Sequence, residues 1–261
     1  MMFLKNIKNN LNNIIGDADK PIVVFSAIWP LARASKLPAE DLCMELSDIF
    51  SDVADGRALL MPAFASGFKD GLCNLDTEQS QTGALSEFFR LQKGTRRTIC
   101  PFFSFAANGK QTDELLKLRP KDAWGAGSLY EWIYNQNASI VTIGVHPTHC
   151  SFTHYAEWLM RDVITYRYSK EFSGDVIHEG KRFPLTESLY VRCLEPSAIS
   201  DFTWLLDVYK KKGMQYTMVD GVALSAIDAK AKIDSITKIM QKDPLALVKN
   251  RHDFEGKLNY G

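Results

Sequence analysis

Three of the chain's five histidines, His146, His149 and His154, fall in one short stretch, with Cys150 among them and Glu157 just beyond. Imidazole and thiolate groups can hold a transition metal, but a structural site needs four ligands at set spacings. His149, Cys150 and His154 form one incomplete group, and no second cluster follows elsewhere. The sequence therefore predicts no metal centre, and His146 and His149 read as polar loop residues. His154 and Glu157 are separated by three residues, so on a helix they share a face. A carboxylate in that position can fix the imidazole tautomer and leave the other ring nitrogen to exchange a proton with a substrate. The same spacing also suits a surface or capping pair.

Two cysteines have neighbours that bear on nucleophilic chemistry. Cys150 precedes His154 by one helical turn, and Cys100 follows Arg96 and Arg97, whose charges favour a thiolate. Neither lies in a recognisable nucleophile signature, and free cysteines often serve as small buried hydrophobes. Lys93, Arg96 and Arg97 could hold a phosphate or form a solvated basic turn. The glycine loops SFAANGK and WGAGS lack the full dinucleotide or P-loop patterns.

These residues need a frame, and the sequence supplies one. The 261 residues suffice for one large domain with its own core, so the chain is read as a single domain over 1–261. Its 31 basic and 31 acidic residues balance, which argues against a nucleic-acid binder and a polybasic membrane anchor. The five cysteines are odd in number and never form a CxxC pair, a poor disulfide framework. No stretch approaches a membrane span, and the N-terminus has no apolar core of a secretory signal. A cytoplasmic protein is expected.

Strand and helix signals alternate. PIVVFSAIW from Pro21 reads as a buried strand, Lys36–Val53 as an amphipathic helix, and ALLMPAF as the next strand. Ala65–Arg97 is a long polar stretch with one helical island, Ala84–Gln92, and loops of that length are usually functional. A short helix is expected within Asp113–Leu118. Ser128 is a candidate N-cap, and Ser139–Val145 is the clearest strand. A helix should begin near Phe152 or Thr153, followed by extended or hairpin structure in YRYSKEFSG and KRFPLTESLYVRCLE. Pro196–Lys212 reads as a helix, MQYTMVDG as a strand, and VALSAIDAKAKIDSITKIMQKD after Gly221 as the longest helix. The expected class is α/β, with a mixed, largely parallel central sheet, flanking helices and an antiparallel section.

In order, ALLMPAF, LDTEQSQTGALSEFFR, GTRRTICPFFSFAANGK, WGAGSLYEWI, IVTIGV and THYAEW resemble the aminoglycoside 3-N-acetyltransferase family over about Lys20–Gly174. The resemblance implies an antibiotic acetyltransferase-like fold and a CoA-dependent N-acyltransferase. The family's catalytic Thr, His and Glu motif implies roles for Thr153, His154 and Glu157. Its acyl-CoA loops imply contacts from Ser26, Ala27 and Ile28, from Arg97 and Thr98, and from Ser104, Phe105 and Ala106. Its cleft segment falls on Asp76–Gly83, where Asp76, Glu78, Ser80 and Thr82 become candidate substrate contacts. The chain departs from the family where Cys100 replaces a histidine and where FSAIW replaces a His-Ser-Ser type loop.

The implied chemistry is acyl transfer from acyl-CoA to an amine, with His154 as base and no acyl-enzyme. The balanced charge favours an amino sugar carried on a nucleotide over a polycationic aminoglycoside, which stands as the alternative acceptor. A non-catalytic acyl-CoA or sugar-binding protein of the same fold is a third reading, supported by Trp29 and the altered FSAIW loop. An apolar helix face can serve the core or a homo-oligomer, so oligomeric state is not read from the sequence.

Overall fold

The computed structural model describes residues 2–16 and 19–256. The first part of the chain forms α1 (Met2–Ile15), β1 (Ile22–Ser26), α2 (Ile28–Ser35), α3 (Ala39–Ala54), β2 (Leu59–Pro62) and β3 (Leu72–Asn74). The middle adds α4 (Ala84–Arg90), β4 (Arg96–Arg97), β5 (Phe105–Asn108), α5 (Thr112–Leu115), α6 (Leu129–Asn135), β6 (Ser139–Ile143) and α7 (Thr153–Leu159). The last part contains β7 (Arg167–His178), β8 (Lys181–Arg192), α8 (Leu205–Lys211), β9 (Gln215–Val219), β10 (Val222–Asp228) and α9 (Ala229–Lys242).

Seven strands form a central sheet in the order β4-β5-β2-β1-β6-β10-β9. β1 pairs in parallel with β2 and β6, whereas every pairing farther out is antiparallel. The parallel character is thus confined to the centre, less than the sequence pattern suggests. A smaller sheet, β3-β7-β8, carries the long hairpin of the expected antiparallel section.

Side chains alternate across the pleat and fill two cores. Ile22 and Val24 of β1 join Leu59, Met61, Val141 and Ile143 beneath α1–α4, where Ile7, Leu11, Leu46 and Phe50 are fully buried. Val23 and Phe25 face the opposite way, with Leu60 and Ile140, into the core of α6, α7, α8 and α9. Each buried Ile or Leu contributes about 1.5–3 kcal/mol relative to exposure. Loss of α1's apolar stripe would therefore uncover the β9–β10 end of that face.

Three elements differ from their sequence reading. The first strand ends at Ser26, and Ile28 opens a helix with Pro30 in its first turn. VALSAID is not the start of the longest helix but β10. Asp220 and Gly221 take φ of 48° and 81°, a two-residue left-handed turn that folds β10 back onto β9. The helix read over 196–212 is limited to α8, because Asp201 Oδ1 accepts from Thr203 N at 3.3 Å and Thr203 Oγ1 at 2.8 Å. That local turn satisfies the backbone in place of helical hydrogen bonds.

Candidate active site

The site lies where the parallel strands end. β1 and β6 run in register from Ile22↔Ser139 to Ser26↔Ile143, and Ala27 N donates to Ile143 O at 3.0 Å. Gly144 follows with φ of 69°, and a Cβ there would sit 2.2 Å from Ala27 O. Only glycine lets the two chain segments approach this closely before the chain turns into residues 145–152. Crevices at the carboxyl ends of such strands are the usual binding places of open α/β sheets.

A cavity of ≈ 460 Å³ opens there, walled by Phe25, Ser26, Pro62, Phe64, Thr82, Val145, His149, Cys150, Ser151, His154 and Phe202. His154 stands at the start of α7, edge-on to Trp124 at 5.9 Å and to Phe202 at 5.6 Å between ring centroids. Trp124 is itself stacked on Tyr130 at 4.2 Å, so the aromatic wall is rigid.

Glu157 is fully buried and uses both carboxylate oxygens. Oε1 accepts from the Tyr166 hydroxyl at 3.0 Å. Oε2 lies 2.5 Å from His154 Nδ1 and 2.9 Å from Arg167 Nε. Burial alone would raise the Glu157 carboxyl, but Arg167, His154 and Tyr166 outweigh it and bring it below its ordinary range. The residue is therefore an anion at neutral pH. Arg167 Nη2 also lies 2.9 Å from His154 Nδ1, and Nη1 donates to Tyr190 O at 3.0 Å. Arg167 Nη2 can only donate and the Glu157 carboxylate can only accept, and the shorter 2.5 Å approach of the anion requires hydrogen on Nδ1, directed toward Oε2. The Nε2 lone pair is left available.

The other expected site residues divide sharply. Ser26 and Thr82 line the cavity, with Ala27 and Ile28 at the adjoining strand end. Thr153 does not line it: this residue is fully buried, with Oγ1 donating to Thr148 O at 3.5 Å. The hydroxyl facing the cavity beside His154 is Ser151, whose Oγ accepts from Tyr130 OH at 2.9 Å and so retains its own proton to donate. Ser80 bonds Thr82 Oγ1 at 2.7 Å from behind.

Asp76 accepts from Glu179 N and Gly180 N at 2.7 and 2.9 Å, capping the hairpin turn. Glu78 Oε1 accepts from Ser66 N and Gly67 N at 2.6 and 2.8 Å. Both carboxylates hold loops and neither lines the cavity.

Arg97, Thr98, Ser104, Phe105 and Ala106 are buried beneath the loops. Arg97 donates to Ser104 Oγ at 3.0 Å, Leu75 O at 3.1 Å, Glu78 O at 2.6 Å and also to Ala63 O. Burial lowers its guanidinium to about 10. Thr98 Oγ1 accepts from Phe105 N at 2.9 Å, and Ser104 Oγ donates to Ala63 O at 2.6 Å. This group acts as a buried strut for the cleft loops.

Spacing along the sequence could not reveal Tyr166 and Arg167, which reach Glu157 from the root of β7. Nor could it reveal Phe202, which arrives from the irregular segment before α8. Among the described residues, no three His, Cys, Asp or Glu side chains are arranged to hold a metal ion. His146 Nδ1 instead bonds Thr148 Oγ1 at 2.8 Å. No helix among the described residues is long and apolar enough to cross a membrane.

The sequence profile of the aminoglycoside 3-N-acetyltransferase family matches residues 55–241, which include α7 with its His154–Glu157 pair and the Arg167 root of β7. The chain belongs to this family. Membership makes it a CoA-dependent N-acyltransferase. No curated protein sequence matches it. Among solved structures, it is similar to sisomicin-bound AAC-VIa, with a TM-score of 0.75 and 19% identity over 92% of this chain and 97% of that one. It is similar to AAC-IIIb in binary complex with CoASH, with a TM-score of 0.74 and 16% identity over 92% and 96%. YokD from Bacillus subtilis gives 0.71 and 16% over 92% and 94%. At these identities the structures show a shared fold, that of the aminoglycoside 3-N-acetyltransferases.

Proposed function

We propose that this N-acyltransferase moves an acyl group from acyl-CoA to an amino group of an aminoglycoside, with His154 as general base. The observation that carries the mechanism is the Glu157 anion 2.5 Å from His154 Nδ1, which leaves Nε2 as the proton acceptor in the cavity. An alkyl amine is mostly protonated near neutrality, and its attack on a thioester releases a proton as the C–N bond forms. His154 Nε2 takes that proton, and Glu157 stabilises the imidazolium. The tetrahedral oxyanion receives a hydrogen bond from Ser151, whose acceptor side is occupied by Tyr130. Collapse breaks the C–S bond, and His154 returns the proton to the departing CoA thiolate. Ser26, Ala27 and Ile28, at the cavity edge, are placed to meet the donor's pantetheine arm.

Family membership supports the aminoglycoside acceptor, as do the similar structures of sisomicin-bound AAC-VIa. Equal totals of basic and acidic residues describe the whole surface and do not fix the charge of one cleft. A nucleotide-linked amino sugar remains as a second reading on one specific observation: no carboxylate stands among the residues walling the cavity.

A thiol-release assay with acetyl-CoA and longer acyl-CoAs, against aminoglycosides and amino-sugar nucleotides, separates the two. Aminoglycoside-dependent thiol release is the expected result. Turnover confined to the sugar nucleotides would transfer the reading to them. Binding of acyl-CoA with no turnover on either panel would favour a binding protein. A protein covalently acylated by acyl-CoA alone would refute direct transfer.

A further inference from the structure

Behind His154, a second group of reactive side chains takes no part in the proposed transfer. Cys150 is 8% exposed and forms part of the cavity wall. Its Sγ lies 3.8 Å from Thr153 Oγ1. Lys232, from α9, is fully buried, and its Nζ has no hydrogen-bond partner. Among the described residues it forms no ion pair with a carboxylate. The ammonium sits 3.9 Å from the centre of the Tyr209 ring, with the Cys150 thiol and the Tyr209 hydroxyl beside it. Burial disfavours a charged Lys232, yet Cys150 and Tyr209 hold it net above its ordinary value.

An unpaired buried ammonium costs several kcal/mol unless an anion meets it. Of the side chains beside it, the Cys150 thiol is the one that also borders the cavity. At three other cysteines burial opposes a thiolate. Burial pushes Cys73 up to about 12, and burial with Glu187 holds Cys100 well above the ordinary thiol. Burial likewise raises Cys43.

We propose that Cys150 is a covalent modification site for disulfides of the pantetheine thiol, CoA disulfide in particular, with Lys232 as the cation that supports its thiolate. The proposal rests on the reading that the CoA arm enters this cavity. The Cys150 thiolate attacks the sulfur of the CoA half lodged beside it. A Cys150–CoA disulfide forms as the original S–S bond breaks, and the outer CoA half leaves as a thiolate that takes a proton from water. Cys150 is oxidised, and the released half is reduced. Thioester exchange with acyl-CoA does not accumulate in the same way. There the expelled CoA thiolate stays held against the new thioester and reverses the reaction, whereas the outer half of a disulfide diffuses away. The modified enzyme carries its own donor fragment in the donor position and is inactive.

The test begins with intact-mass and peptide mapping after incubation of wild-type protein with CoA disulfide, beside calorimetry with reduced CoA. One CoA unit on Cys150, lost activity and recovery of both with dithiothreitol are expected. Cys150→Ser should take up none. Iodoacetamide labelling of Cys150 should slow about tenfold in Lys232→Met, which removes the neighbouring positive charge. Lys232→Arg, which keeps the charge, should label near the wild-type rate, and it serves if the methionine variant does not fold. Reduced CoA that binds while Cys150 stays unmodified, or an adduct on another cysteine, would overturn this proposal and leave the proposed function standing. Failure of reduced CoA to bind at all would bring down both. Equal labelling of wild type, Lys232→Met and Lys232→Arg would remove Lys232 from the role.

Discussion

Replacing Glu157 by Gln separates its two duties, because its carboxylate both sets the His154 tautomer and neutralises a buried guanidinium. Arg167 is 9% exposed at its side chain, and Glu157 Oε2 lies 2.9 Å from its Nε. The amide retains one acceptor oxygen for two hydrogen-bond donors, those of His154 and Tyr166. It also leaves the Arg167 charge without a counter-ion. Breaking one side of a buried pair costs about 3 kcal/mol or more. For a chain of this size that corresponds to a fall in Tm of roughly 6–12 °C. Turnover should fall by about 10²–10⁴, since the imidazole is no longer held with its basic nitrogen toward the cavity.

His154→Ala makes the comparison decisive. It removes the base with a similar loss of turnover but preserves the Glu157–Arg167 and Glu157–Tyr166 contacts. Its stability should fall by only about 1–2 kcal/mol. Thermal unfolding and steady-state kinetics of both variants check the argument. Near wild-type kcat/KM in either would remove that residue from proton transfer. Equal loss of stability in the two would refute the clamp.

Arg97→Ala should unfold at clearly lower urea concentration, by about 3 kcal/mol, because the carbonyls of Ala63, Leu75 and Glu78 lose a common donor. Removal of a phosphate contact would instead raise the acyl-CoA KM and leave stability unchanged, so denaturation and kinetics together decide. Glu187, buried in β8, has its carboxyl raised to about 7 by burial, with Cys100 and the Phe102 amide opposing and Asp122 adding to the rise. In the unfolded chain it ionises near pH 4.3, so native stability should fall as pH rises through that value to about 7 and then level. Glu187→Gln should flatten this part of a Tm–pH profile, and an unchanged slope would count against the assignment.

Helical spacing puts His154 and Glu157 on one face, but that spacing equally suits a surface pair, and only the resemblance of the Thr153, His154 and Glu157 motif to the family's singles them out. The strand leading to this pair was legible because Ile140–Ile143 are all β-branched and Asn137 and Pro147 bound the run. The environment of the pair was not legible. Arg167, Tyr166 and Phe202 come from later segments, and no local pattern marks a side chain that will cross to another element. The residues from Arg97 to Ala106 illustrate the opposite difficulty. An arginine beside small residues resembles a phosphate loop, but here it answers carbonyl groups exposed by turns up to 34 residues away. VALSAID was misread because a short apolar run fits helix and strand equally. The decisive sign was the Asp220–Gly221 dipeptide, whose turn commits the following residues to a returning strand.

The hairpin β7–β8 joins the two ends of this design. Arg167 grips Glu157 at its root, and at its far end His178 Nε2 donates to Arg97 O at 2.7 Å while Asp76 caps the turn. Those anchors are the first and last of twelve paired residues, a span of roughly 36 Å at the usual rise per residue. The hairpin thus works as a measuring rod. A one-residue deletion in β7 between them would turn Arg167 or His178 to the opposite face, so the length of this strand sets whether both ends of the cleft are held at once.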